Sequence, residues 1–170
     1  TTDLATYVHP RVEPEVAFRL GKTVSGDLSL SEAREAVDAV APALEIIDSR
    51  YQDFKFSLSD VVADNCSSAG YVLGPWLDQA ELLDDTTNLG MVMSVNGQQV
   101  QVGSSAAISG NPLQSVVDAA RLAQECGAEL LAGSILLAGA ATAAVPLEPG
   151  CEVTLEVQHL GSISFRTEDS

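Results

Sequence analysis

The chain has 170 residues, 46% of them hydrophobic, which suffices for one packed core and is short for two. Its 24 acidic residues against 8 basic ones leave a formal charge of −16, which repels phosphate backbones and anionic lipid and argues against nucleic acid or a membrane as partner. No apolar run reaches the roughly 20 residues of a membrane-spanning helix, and Thr1 to Arg11 lacks the basic-then-apolar layout of a signal peptide. Three widely spaced cysteines, Cys66, Cys126 and Cys151, form no CxxC pair and fit reduced thiols in a cytoplasm.

In chain order, residues 12–20 read as a strand. Ser29 and Glu32 make a capping-box pattern, and Ala33, Ala36, Val37 and Val40 continue at helical spacing until Pro42 stops the run. Residues 44–48 and 71–73 carry strand composition. Residues 89–95 and 98–102 form a hairpin around Asn96-Gly97, the strongest short turn signal in the sequence. A second helix opens with Asn111 as cap and Pro112 at its first position. It buries Leu113, Val116, Val117, Ala120 and Ala123, and ends at Gly127. Residues 134–138, 151–157 and 162–166 complete the strands, with a turn at Leu147-Glu148-Pro149-Gly150 before the second of these. The expected class is α+β, mostly β, with two main helices in a single domain spanning residues 1–170.

The chemistry concentrates in Pro10-Arg11-Val12-Glu13-Pro14-Glu15-Val16-Ala17-Phe18. Strand side chains alternate, so Glu13 and Glu15 share one face while Pro14 points away, and two like charges held that close attract a cation. A solvated acidic edge strand is the competing interpretation, and Pro14 would be tolerated there. Glu45 sits among Leu44, Ile46 and Ile47, where a carboxylate is costly unless it is paired, protonated or bound to metal. Arg50 is one available partner for it, and a metal shared with Glu13 and Glu15 is the other. An all-carboxylate set favours Mg2+ or Mn2+ over Zn2+. His9 and His159 are the only imidazoles, neither in a catalytic pattern, and Ser67, Ser68, Ser104 and Ser105 lack a triad context. Asp64-Asn65-Cys66-Ser67 caps an element or lines a pocket.

Residues 10–18 resemble the PRxExEIAF signature of the hydratase and decarboxylase branch of the fumarylacetoacetate hydrolase superfamily. The similarity extends through PALEIIDSRYQDFKF (42–56), VADNCS (62–67), residues 137–150 and His159-Leu160-Gly161-Ser162. The resemblance implies a β-roll core with metal ligands at Glu13, Glu15 and Glu45 and Mg2+ or Mn2+ as cofactor. It further implies a small 2-oxo acid as substrate, and a homo-oligomer or a complex with a pathway enzyme. The IDSRY and FKF stretches are more similar to the decarboxylases, so the implied reaction is metal-dependent decarboxylation of 2-oxohex-3-enedioate in aromatic catabolism. Hydration of 2-hydroxypenta-2,4-dienoate is the alternative, and cleavage of a diketo acid ranks below it. The reading from a different class is a non-catalytic acidic binding module. Val62, Asn65, Ser67 and Leu137, which are small, apolar or neutral, are the candidates for lining the substrate pocket. Family members carry a further N-terminal region with an active-site lysine in a Lys-x-Gly-x-Ser/Thr-like segment. Only Lys22 and Lys55 occur here, neither in such a segment, so the expectation is a catalytic core of a longer protein, of doubtful activity by itself.

Overall fold

Alternation of large apolar residues with charged or small ones places Val12, Val16, Phe18 and Leu20 on one face of strand β1 (Arg11–Leu20) and Glu13, Glu15 and Ala17 on the other. In the computed structural model, which describes residues 1–78 and 86–169, the first face closes the main core. Strand β1 runs antiparallel to β2 (Val37–Ile47), which is followed by β3 (Ser68–Leu73) and β4 (Leu77–Asp78) along its outer side. The far side of β1 takes β7 (Ile135–Leu137) and β8 (Val145–Pro146). A second sheet, in the order β10-β9-β5-β6, is built from β5 (Gly90–Val95), β6 (Gln98–Ser104), β9 (Glu152–Val157) and β10 (Gly161–Arg166). The core lies between the sheets, where Phe18, Leu20 and Leu44 join Met91, Met93, Leu155 and Phe165 in one cluster.

The hairpin forms as read from the sequence. Asn96 and Gly97 both have positive φ, 50° and 75°, as a type I′ turn requires. Helix α3 (Gln114–Glu125) is entered through a tight turn in which the Asn111 side chain accepts from the Leu113 amide. Leu113, Val116 and Ala120 are buried, with Val117 and Ala123 only partly so, and the Ala128 amide closes the helix on the Ala123 carbonyl.

The first helix is shorter than its spacing suggests. The Ser29 and Glu32 capping box is present, but α1 spans only Leu30–Ala36, and Val37 and Val40 belong to β2. Pro42 is therefore a mid-strand residue and not a helix stop. Its carbonyl faces the β3/β4 side, accepting from the Gly74 amide, so its missing N–H falls in the gap between those two short strands. Pro14 is placed in the same way in β1. Its carbonyl accepts from the Ala141 amide in the gap between β7 and β8, so β1 is an interior strand despite its proline. A third helix, α2 (Leu58–Ala63), capped by Ser57 and Asp60, adds to the two expected.

Gly74 fits against the proline in β2. A methyl group there would lie 2.6 Å from Pro42 Cγ and would also collide with Ile163 of the opposite sheet. Gly74→Ala should therefore cost about 1–3 kcal/mol through overpacking. At about 2–4 °C per kcal/mol for a chain of this size, thermal unfolding should register the loss. An unchanged Tm would show that the two sheets can move apart at this point.

Candidate metal centre

The β1–β2 register decides the site. Pro14 and Val16 turn their carbonyls toward the Ala141 and Ala138 amides, so Glu13 and Glu15 turn their peptide groups toward β2. Glu13 stands directly opposite Glu45, and Glu15 opposite Ala43. The three carboxylates thus share one face, with ligand oxygens all within 4.8 Å of one another. Arg50, the alternative partner for Glu45, pairs instead with the buried Asp64, which also accepts from Ser49 Oγ and the Arg50 amide.

Exposure differs along this face between Arg11 and Ala17. Arg11 and Glu13 are half-buried and Glu15 is 1% exposed, while Ala17, Ala41 and Ala43 are sealed beneath Leu73, Trp76 and Leu137. The trio is thus buried at Glu15, next to the alanines, and partly exposed at Glu13 and Glu45. Gly139 donates its N–H to Glu15 Oε2 at 2.7 Å. Gly139 takes φ 111°, a conformation that L side chains rarely adopt, so a glycine is needed to present this amide.

Both strand carboxyls titrate far from the ordinary value. Burial, then the Glu45 charge, pushes Glu13 up to about 7, against a smaller lowering by Arg11. Burial is also the largest cause at Glu15, which is pushed up to about 8. The Gly139 hydrogen bond opposes that rise, and Glu45 and Glu13 reinforce it. Such a cluster is relieved either by protons or by a cation. Its donor set, three carboxylate oxygens with no thiolate or imidazole, fits a hard divalent ion.

The pocket candidates are dispersed. Leu137 pairs with Ala17 and packs on the alanine cluster beside Glu15. Val62 is 61% exposed on α2, and Asn65 is exposed just beyond it, with its Nδ2 donating to the Ser68 carbonyl. Ser67 is buried with its Oγ unpartnered, at the end of three consecutive left-handed residues, Asn65, Cys66 and Ser67. Such backbone costs about 1–2 kcal/mol per non-glycine residue and concentrates at functional sites. Sequence reasoning missed the Gly139 donor, which has no motif of its own. It also missed Phe54, whose ring lies 4.2 Å from the Arg11 guanidinium carbon.

A mostly β roll of two curled sheets, with an acidic trio on an interior strand pair, defines the class. Residues 5–167 match the profile of the fumarylacetoacetate (FAA) hydrolase C-terminal family, and the chain belongs to that family. It is 60% identical over 165 residues to a 4-oxalocrotonate decarboxylase of Pseudomonas sp., covering 97% of this chain and 63% of the relative. It is 38% identical over 169 residues to a 2-keto-4-pentenoate hydratase of Paraburkholderia xenovorans (strain LB400), covering 99% and 62%. The solved 4-oxalocrotonate decarboxylase from Pseudomonas putida G7, complexed with magnesium and adipate, matches with a TM-score of 0.93 at 39% identity, covering 98% of this chain and 63% of that one. The chain thus spans less than two thirds of the length of these relatives.

The titrations set a stability profile for metal-free protein. Glu13 and Glu15 have folded pKa values of about 7 and 8, above the ordinary 4.5, so the folded state holds protons that the unfolded chain has released. Their contribution is fully present below about pH 4.5 and is lost as pH rises to about 8. Over that window Tm should fall by several degrees, at about 2–4 °C per kcal/mol, and excess Mg2+ should restore it. Glu15→Gln should remove the Glu15 share of the pH slope and leave that of Glu13, raise the metal-free Tm near pH 8 and abolish the Mg2+ effect. A lower Tm in the variant at every pH would instead mark Glu15 as a purely structural residue.

Proposed function

We propose that residues 1–170 are the catalytic core of a Mg2+- or Mn2+-dependent lyase that decarboxylates 2-oxohex-3-enedioate, with Glu13, Glu15 and Glu45 as metal ligands. The observation that carries this reading is the all-carboxylate trio on one strand-pair face, in a chain 60% identical to a relative named for that activity. Glu13, Glu15 and Glu45 would hold a divalent ion, which would supply Lewis-acid stabilisation of the negative charge that develops on a 2-oxo acid during decarboxylation.

The chain's own groups have separable roles. Gly139 fixes the Glu15 carboxylate by donating to Oε2, which steadies it beside Glu13 and Glu45. Leu137 and the sealed alanines keep water from the Glu15 side, which strengthens every electrostatic interaction at the trio. Ser67 is the polar candidate for substrate contact, since its buried hydroxyl has no partner among the described residues, while Val62 and Asn65 belong to the exposed α2 region. Cys66 and Cys126 are exposed free thiols, which suits the cytoplasm in which we place the protein, as a homo-oligomer or bound to a pathway enzyme.

Hydration of 2-hydroxypenta-2,4-dienoate is the second reading, favoured by the 38% identical hydratase. Full-length protein with Mg2+ should release CO2 from 2-oxohex-3-enedioate. Glu45→Gln should lower kcat by on the order of 10²–10³-fold, the scale for removing one electrostatic stabiliser. Absence of CO2 together with efficient hydration of the dienoate would replace the decarboxylase reading with the hydratase one.

A further inference from the structure

The basic residues of this acidic chain are nearly all committed. Arg19, Arg50, Lys55, Arg121 and Arg166 pair with Asp38, Asp64, Asp53, Glu125 and Glu152. Arg34 is also engaged, and Lys22 lies on the surface. Arg11 differs from all of them. It is half-buried on the carboxylate face, two residues from Glu13, and among the described residues no carboxylate lies within ion-pairing distance of it.

What holds Arg11 is an aromatic ring. Its guanidinium carbon sits 4.2 Å from the centroid of Phe54, and the same ring meets the His9 imidazole at 4.8 Å. Phe54 reaches this position through two consecutive left-handed residues, Asp53 at φ 54° and Phe54 at φ 53°. The ring thus packs on the guanidinium from a strained backbone, and among the described residues the guanidinium N–H donors have no carboxylate acceptor.

Charge and position give those donors a task. Three ionised carboxylates and one divalent ion sum to a single negative charge, which would repel an anionic substrate, and Arg11 brings the local sum to zero. Glu13 is the partly exposed carboxylate of β1, two residues from Arg11 on the same face, and the Arg11 charge is felt at its carboxyl. We propose that Arg11 is a substrate-positioning residue that anchors, by charge-assisted hydrogen bonds, the carboxylate adjacent to the keto group of a 2-oxo acid. That carboxylate persists through either decarboxylation or hydration. Pairing a carboxylate that must leave would instead stabilise the ground state and slow its loss. The inference rests on the 2-oxo-acid reading of the site and not on which reaction follows.

The test is calorimetric titration of full-length, Mg2+-loaded protein with pyruvate and with methyl pyruvate, comparing wild type, Arg11→Gln and Arg11→Lys, with Mg2+ affinity measured separately. Arg11→Gln should weaken pyruvate binding by about 10-fold or more, the scale of a charge-assisted hydrogen bond. Arg11→Lys should recover part of the loss, since a point charge lacks the planar fork. Mg2+ and methyl pyruvate affinities should change by less than about 3-fold, and in turnover the effect should appear in KM more than in kcat. Equal losses for pyruvate and its ester, a loss confined to Mg2+ affinity, or no loss would each overturn the role of Arg11. Wild-type protein that binds no pyruvate would sink the 2-oxo-acid reading itself, and Arg11's role with it.

Discussion

Everything functional in this molecule follows from three like charges that the β1–β2 register holds together and that neither strand can move apart. Glu13 and Glu45 are direct cross-strand neighbours, and Glu15 is one step along the same face. Two unit charges 4 Å apart repel by about 4 kcal/mol at an effective dielectric constant near 20. A one-residue slip of β1 would separate them, but it would also turn Val12, Val16, Phe18 and Leu20 out of the core, at roughly 1.5–3 kcal/mol each. The apolar face wins that comparison. The core therefore serves as the clamp of the site, and the two faces of one strand do opposite electrostatic work.

The prolines show how an interior strand pair tolerates missing backbone donors. Pro14 and Pro42 each lack the donor that a continuous neighbouring strand would require, and each lies where the flanking strand is interrupted. On the β1 side the interruption between β7 and β8 is filled by the loop that carries Gly139, whose amide reaches Glu15. On the β2 side it admits Gly74, which fits tightly against Pro42. The gap beside Pro14 thus supplies a backbone donor that steadies the buried Glu15 carboxylate.

How much of this was legible in the sequence depended on whether the signal was local. Asn96-Gly97, the Ser29 and Glu32 box and the Glu13-Pro14-Glu15 alternation are short-range patterns, and each appears where its chemistry requires. Ala33, Ala36, Val37 and Val40 fit a helical stripe, but pairing along β1 drew the last two into β2, because burial between sheets outweighs a weak helical preference. Pro42 misled for the same reason, since whether a missing donor matters depends on a neighbour far along the chain. Helix α2 has six residues, too few to show a periodicity. The Arg50–Asp64 pair, the Gly139 amide and the Phe54 contact join segments brought together only by the fold, so no spacing rule could announce them.

The allocation of positive charge bears on which cation the site can take. A buried carboxylate cluster can be neutralised by protons, by lysine or arginine, or by a metal ion, and the fold restricts the second route. Five of the bases are paired with acids away from the trio, and Arg11, the nearest, is turned onto Phe54. Protons and a hard divalent cation remain as competitors for the same oxygens. With Glu13 and Glu15 titrating near 7 and 8, the metal must displace protons around neutral pH, so its apparent affinity is tied to pH by the same burial that creates the site. Deeper burial would raise those pKa values and hand the trio to protons, whereas fuller exposure would let water relieve the repulsion. The trio lies between these limits, with Glu15 desolvated enough to demand a cation and Glu13 and Glu45 still partly exposed.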